Sequence, residues 1–379
     1  MSTVILTGGN HIITPNSPRN SNHEILRYKE DKRHLYNSER ILQKMWRPLE
    51  GAYLFTSLST NYDLIHSFNA IPYTEKPWIV TFESRLPRTI GFYGNTLSSI
   101  IKNRLLLDNC RQVIAMSNYA KQTFVKVNEG WTSIKAIIDK LQVIHPSFPV
   151  RTSTPKKYLK GETLEIIFVG NDFARKGGIV ALRVAEKAKK MKLPLKINLI
   201  SGMNYGSSVY TDCLDTSRYA RDLTLINLDN VVIHKKLPNE QVINLFAKSH
   251  LQVMCTLDDT YGYSILEGFS VGTPAITTNV CALPEFVNSN NGLVIDLELN
   301  ECKNWINLAD RKVSNYWSII DNTYDNLANQ VLEFIIKILD APESYEQLSS
   351  GAIAQANIHD AKRANNTFDN LYTEIIQNN

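Results

Sequence analysis

Two acids, Asp259 and Glu267, flank a glycine turn in the run Leu251-Gln-Val-Met-Cys-Thr-Leu-Asp-Asp-Thr-Tyr-Gly-Tyr-Ser-Ile-Leu-Glu-Gly-Phe-Ser-Val-Gly-Thr-Pro-Ala-Ile276. A strand here leads into the acidic loop Asp258-Asp259, Gly262 permits a tight turn, and a short helix is predicted from about Tyr263 to Val271. Gly272 suits the position after a helix end, and Pro274 stops continuation. Carboxylates on the loop and in the helix can accept hydrogen bonds from hydroxyls of one ligand, while the helix N-terminus takes an anionic group between them. A sugar nucleotide has that layout. A plainer account makes Glu267 complementary to the helix dipole and Asp259 a capping or loop residue. Earlier, Ile166-Ile-Phe-Val-Gly-Asn-Asp-Phe-Ala-Arg-Lys-Gly-Gly178 passes from an apolar strand ending at Gly170 to a polar loop and a glycine-opened helix. Such junctions bring backbone N–H groups to an anion, and Arg175 and Lys176 add formal charge. The run is not a P-loop, which needs glycine at Arg175 and Ser or Thr at Gly177, and it is not G-x-G-x-x-G. An ordinary basic surface loop would also fit.

The rest of the chain must position these loops. Strands are predicted at Val4–Leu6, Ala52–Phe55, Leu64–Ser67, Trp78–Phe82 and Gln112–Met116, with a helix at Leu97–Leu107. Later strands fall at Leu164–Val169, Leu195–Ile200, Val231–Ile233, Leu251–Cys255 and Ala275–Thr278, with helices Ile179–Lys190 and Asn239–Lys248. This alternation predicts α/β architecture with parallel sheets covered by helices, and ligands beyond the carboxyl ends of the strands. The 379 residues exceed one core and suggest two domains. A polar, Pro-containing break at 151–160 is the expected linker. Composition is ordinarily globular, with 43% hydrophobic and 21% charged residues, which excludes wholesale disorder. No apolar run approaches a membrane span, and no secretory leader is expected. The five cysteines are scattered without C-x-x-C spacing and are expected to be free thiols. Residues 1–150 hold 18 Lys and Arg against 11 Asp and Glu, and the remainder holds 23 against 26. The basic half could face an anionic membrane surface or a phosphorylated substrate, or be plain solvated charge. No nucleic-acid-binding signature accompanies it, so nucleic acid is not an expected partner.

The sequence resembles the retaining glycosyltransferases of family 4. These have the GT-B fold of two facing Rossmann-like domains with a donor cleft between them. The resemblance rests on two acids with seven residues between them, here Asp259 and Glu267, and on a Lys-Gly, here Lys176-Gly177. It is clearest over 160–290 and poor over 1–60. The family has Glu where Asp259 stands, its G-F-G turn appears as Tyr261-Gly262-Tyr263, and its Arg after the strand glycine is Asn171, for which Arg175 is the expected substitute. Val231–Glu240 resembles the segment beside the nucleotide base, and Asn279–Glu285 the loop closing over the donor.

The resemblance implies metal-independent transfer of a hexose-type sugar from a UDP- or GDP-sugar, without a cofactor, to a glycan or lipid-linked acceptor. Arg175, Lys176, Asp259 and Glu267 would be catalytic. Gly170, Asn171, Leu237, Tyr261, Gly262, Tyr263 and Ser264 would bind the donor, with Gly8 and Gly9 either approaching its diphosphate or forming a plain turn. Glu83, Arg85 and Arg88 would contact acceptor. The expected domains are 1–155 for acceptor, 156–345 for nucleotide-sugar, and C-terminal helices over 346–379 packing back on the first. The expected setting is cytoplasmic, with peripheral contact to the inner membrane face. Two alternatives stay open: an inactive GT-B subunit that binds a sugar nucleotide or lipid, and a nicotinamide-dependent oxidoreductase, weakened by the missing glycine fingerprint. No G-x-S-x-G occurs, which removes the nucleophile-elbow hydrolases.

Overall fold

A computed structural model describes residues 1–59, 61–89, 96–309 and 311–378. The chain forms two compact units, Met1–Pro149 with His359–Asn379, and Val150–Ile358. In the first, the strands in chain order are β1 (Thr3–Leu6), β2 (Glu24–Arg27), β3 (Ala52–Tyr53), β4 (Leu64–Phe68), β5 (Ile71–Pro72), β6 (Trp78–Phe82), β7 (Cys110–Ala115) and β8 (Leu141–Val143). Six of them make a parallel sheet in the order β2-β1-β4-β6-β7-β8, and β3 pairs with β5 separately. Strands β4 and β6 are buried along their whole length. That is why they read as continuous apolar runs, as interior strands covered on both faces do.

Alternate residues serve the two faces. Ile5, Ile65, Val80, Phe82 and Val113 pack with Leu105 and Phe124 on one side. Val4, Leu6, Leu64, Phe68, Ile79 and Ile114 pack on the other against Phe368, Tyr372 and Ile375 of the helix Ala361–Gln377. His66 lies inside this second layer. Its Nδ1 is 2.7 Å from Tyr372 Oη and its Nε2 2.7 Å from Thr81 Oγ1. Burial depresses its pKa to about 3, so it is a neutral core residue. Ser117 caps the helix Asn118–Val127 by accepting from Ala120 N at 2.9 Å.

The second unit contains β9 (Leu164–Val169), β10 (Leu195–Ile200), β11 (Val231–His234), β12 (Leu251–Met254), β13 (Ala275–Thr278) and β14 (Gly292–Ile295). All six are parallel, in the order β11-β10-β9-β12-β13-β14. Numbered from β9, this is the 3-2-1-4-5-6 order of dinucleotide-binding sheets, with its topological switch between β9 and β12. A long helix, Tyr316–Asp340, buries Ile320, Tyr324, Leu327, Val331 and Ile335 on one stripe. Arg183 of the helix Gly178–Lys190 is tied to buried Asp222 at 2.7 Å and to Asp321.

Two domain expectations change. The break at 151–160 belongs to the second unit and is not a loose linker. Arg151 N donates to Ser270 O at 2.9 Å and Lys156 N to Ser349 Oγ at 2.8 Å. The helices beyond 346 also divide. Ser344–Ile358 stays with the second unit, where Tyr345 Oη donates to His250 O at 2.8 Å and Ser349 Oγ to Gly272 O at 2.7 Å. Only the stretch from His359 joins the first unit.

Lys156 carries a consequence for stability. Its ammonium donates to Phe246 O and Ser249 O at 2.8 Å and to Thr273 Oγ1 at 2.7 Å, with no carboxylate partner among the described residues. Burial lowers its pKa to about 7 from 10.5. The unfolded chain therefore holds more protons than the folded one between about pH 7 and pH 10.5, so stability rises with pH across that window. Denaturant midpoints should climb from pH 7 to pH 10. The climb should be flattened in Lys156→Met by a few kcal/mol, since one pKa unit is about 1.4 kcal/mol. Parallel pH profiles for the two proteins would contradict this.

Candidate functional site

The loop after β9 is anchored by Phe173. This residue is fully buried and packs edge-on against Phe168 with centroids 5.6 Å apart. Anchoring at Phe173 fixes Arg175 and Lys176 beyond the strand end. The glycines that follow have a packing role. Gly177 has φ +96°, and a Cβ there would lie 2.7 Å from Cys255 O. A Cβ on Gly178 would enter the Phe173 ring. The helix can thus start against the end of β12 only because both positions lack side chains. Gly170 has a similar reason, since a Cβ there would come 2.8 Å from Lys176 Cδ.

The loop after β12 is stitched to the first loop. Leu257 N donates to Arg175 O at 2.9 Å, and Thr256 Oγ1 reaches the same oxygen at 3.2 Å. Arg175 lies 2.6 Å from Asp172 Oδ2 and 3.9 Å from Asp258 Oδ2, and it donates to Asp258 O. Burial opposes its charge, but Asp259, Asp172 and Asp258 outweigh burial and hold its pKa above the usual value. Arg175 therefore organises the two loops and does not line the pocket expected for it.

Lys176 does line that pocket. Its Nζ lies 2.7 Å from Asp259 Oδ2, with the two side chains 25% and 13% exposed. The other oxygen, Asp259 Oδ1, accepts from Gly262 N at 2.9 Å and Tyr261 N at 3.3 Å. The neighbouring acids are driven apart. Burial raises the pKa of Asp258 despite Arg175. Burial acts the same way on Asp259, but Lys176 and Arg175 override it and lower its pKa below the carboxylate norm. Asp259 is thus an ionised acid with both oxygens engaged.

Around this pair is a pocket of about 380 Å³, lined by Val169, Gly170, Asn171, Lys176, Ile200, Ser201, Lys236, Leu237, Val242, Asp259, Tyr263 and Ser264. It lies at the carboxyl ends of β9, β10 and β12, at the switch point. Of the residues expected from sequence, it gathers Gly170, Asn171, Lys176, Leu237, Asp259, Tyr263 and Ser264. Besides Arg175, three others expected in this unit lie elsewhere. Tyr261 is 3% exposed and stacks on Phe286 at 5.2 Å, so it is a core residue. Gly262, at φ +81°, supplies the turn, where a Cβ would come 2.5 Å from Leu283 Cδ2. Glu267 accepts from Asn239 Nδ2 at 2.8 Å and joins the helix Tyr263–Phe269 to the helix Asn239–Lys248. Sequence reasoning missed Ser201 and Lys236. Both sit just past strand ends, and Lys236 adjoins Leu237, so position relative to β10 and β11 was the available signal.

In the first unit, Gly8 has φ +131°, and a Cβ there would meet Phe68 Cβ at 3.2 Å. Gly9 precedes a short helix, Asn10–Ile13. Glu83 and Arg88 form an ion pair with each other. Arg85 lines a separate pocket of about 270 Å³ with Leu86, Ser98, Ser99, Lys102, Val127 and Asn128. Of the five cysteines, Cys110, Cys213, Cys255 and Cys281 are buried free thiols, and Cys302 is free and half-buried. No helix among the described residues is long and apolar enough to cross a membrane.

Comparison with known proteins adds to this geometry. Residues 150–310 match the family described as glycosyl transferases group 1. Over 201 residues the chain is 23% identical to the phosphatidylinositol N-acetylglucosaminyltransferase GPI3 subunit of Saccharomyces cerevisiae, covering 52% of this chain and 42% of that protein. The chain thus spans about two-fifths of the length of the curated relatives it matches. Sucrose-phosphate synthase from Thermosynechococcus elongatus superposes over 100% of both chains with TM-score 0.60 at 13% identity. Anabaena Alr3699/HepE, solved in complex with UDP-glucose, superposes over 99% of this chain and 100% of its own with TM-score 0.57 at 11% identity. At those identities the structural likeness speaks for the fold, and the family match for the second unit. The chain has the GT-B fold, and its residues 150–310 match the glycosyl transferases group 1 family.

Proposed function

We propose that the protein transfers a hexose-type sugar from a UDP- or GDP-sugar to a glycan or lipid-linked acceptor, with retention and without a metal ion. The observation that carries this reading is the Lys176–Asp259 pair inside the switch-point pocket. Cation and acid neutralise each other in the pocket, and a donor can engage both. Lys176 turns to the diphosphate, where negative charge grows as the sugar–phosphate bond breaks. Asp259 accepts from a sugar hydroxyl while keeping its backbone bonds. Val169, Leu237 and Val242 give an apolar wall for the base. Glu267 reaches the ribose hydroxyls by exchanging its bond to Asn239. The UDP-glucose complex of Alr3699/HepE supports a nucleotide-sugar donor on this fold. The name of the yeast relative supports sugar transfer to a lipid. On this reading the protein works in the cytoplasm, with its basic N-terminal half against the inner membrane face.

Calorimetry across UDP-, GDP- and ADP-sugars tests the donor. One of the first two should bind, and Glu267→Gln should weaken it about tenfold, as loss of a charge-assisted bond does. Unchanged nucleoside diphosphate affinity in that variant would remove Glu267 from the ribose site. Turnover should be insensitive to EDTA. Loss in chelator with recovery in Mg²⁺ or Mn²⁺ would defeat the metal-free mechanism. A second reading, an inactive subunit, draws on the engagement of both Asp259 oxygens. Donor binding with neither hydrolysis nor transfer would favour it.

A further inference from the structure

We propose that Arg27 and Lys29, converging on Asn10, form a phosphate-binding cradle in the first unit that takes the anionic group of the acceptor. Its assignment to the acceptor rests on the sugar-transfer reading above. Arg27 is the last residue of β2, in register with Leu6 of β1. Asn10 follows the Gly8-Gly9 turn after β1, and Lys29 lies two residues past β2. All three therefore stand at the carboxyl edge of the parallel sheet, where open α/β sheets bind ligands.

The side chains meet there in an arrangement that structural need does not explain. Arg27 Nη1 donates to Asn10 Oδ1 at 3.0 Å and Lys29 Nζ donates to the same oxygen at 2.8 Å. The shared acceptor holds the two cations within about 6 Å of each other. Both are half-buried. Neither has a carboxylate partner among the described residues, whereas Arg88 of the same unit is paired with Glu83. Two like charges repel at this range, and one amide oxygen satisfies only a fraction of their donors. A phosphoryl group supplies what is missing, namely negative charge and several acceptor oxygens within reach of a guanidinium and an ammonium. The donor diphosphate already faces Lys176 in the second unit. An acceptor bearing a phosphomonoester or phosphodiester is the ligand class that remains for the first.

The test uses the full chain, inorganic phosphate as probe, and the double variant Arg27→Gln/Lys29→Met, with Lys176→Met as reference. Calorimetry should show phosphate affinity falling about tenfold or more in the double variant, as two charge-assisted contacts are lost. Its affinity for UDP should stay within about twofold of wild type, and Lys176→Met should give the converse pattern. Unliganded, the double variant should melt at or above the wild-type temperature because a like-charge contact is relieved. Vesicles of phosphatidylcholine with and without phosphatidic acid separate the sources. Sedimentation with phosphatidic acid that the double variant loses marks a lipid headgroup. A phosphate response without such sedimentation marks a soluble phosphorylated acceptor. The cradle is overturned by equal phosphate affinity in wild type and double variant, or by a lowered melting temperature with phosphate binding intact. It is equally overturned if UDP affinity is lost in the double variant, which would assign these cations to the donor. Failure of every sugar nucleotide to bind wild type would remove the donor reading while leaving the phosphate response in place.

Discussion

Lys176→Ala should lower sugar transfer by about 10²–10³-fold while the protein remains folded, the loss expected when one preorganised partner of developing charge is removed. Two effects add. The leaving diphosphate loses its cation in the pocket. Asp259, 2.7 Å away and only 13% exposed, then presents an unbalanced carboxylate to the same phosphates. The second effect gives the prediction a signature. Lys176 and Arg175 hold the Asp259 pKa low, so removing Lys176 lets it rise. The acidic limb of the pH–rate profile should move to higher pH, because the ionised form is retained over a narrower range. Adding Asp259→Asn should restore part of the donor affinity without restoring turnover. Wild-type turnover by a folded Lys176→Ala protein would exclude the residue from the mechanism.

Asp259→Glu should cost about 10²-fold in rate, the penalty of a reacting group displaced by about 1 Å. The shorter acid fits because one oxygen is anchored to Gly262 N and Tyr261 N while the other faces Lys176. An added methylene cannot keep both sets of contacts. The variant should also lose about 0.5–1.5 kcal/mol of stability, as loss of a hydrogen bond that holds a turn does. Asp259→Asn keeps the oxygen that accepts from the turn and loses the charge, so it should melt close to wild type yet turn over slowly. Near-silent effects of both substitutions would make Asp259 a loop acid with no part in transfer. A gain on Asp259→Glu would indicate a decayed site and favour the inactive-subunit reading.

The central strands were legible from sequence because burial on both faces leaves no alternation to misread. The ranges Trp78–Phe82, Leu164–Val169 and Leu195–Ile200 coincide with β6, β9 and β10. β2 escaped because it is an edge strand of mixed residues, Glu24-Ile-Leu-Arg27, none of them buried. β8 has three residues, and β14 opens on a glycine. The polar Asp, Asn and Thr of Tyr316–Asp340 masked the apolar stripe of that long helix. At the site, spacing identified the two loops but not the neighbours within them. That Lys176 meets Asp259 while Arg175 is held by Asp172 and Asp258 depends on the stitching of β9 to β12, a contact between distant segments. The paired glycines suggested an anion cradle, whereas Gly177 and Gly178 are required by Cys255 and Phe173.

The helix Ala361–Gln377 also sets a timetable for synthesis. It supplies Phe368, Tyr372 and Ile375 to a layer whose other members, Val4, Leu6, Leu64 and Phe68, are made first. Tyr372 is also the partner of buried His66. Until that helix leaves the ribosome, one face of the first sheet lacks Phe368, Tyr372 and Ile375 of its cover and His66 lacks its phenol, whereas Val150–Ile358 can already close on itself. The middle of the chain can therefore mature before its beginning. A nascent chain stalled short of residue 361 would hold a finished second unit and a first sheet with apolar surface still exposed, a form suited to capture by chaperones.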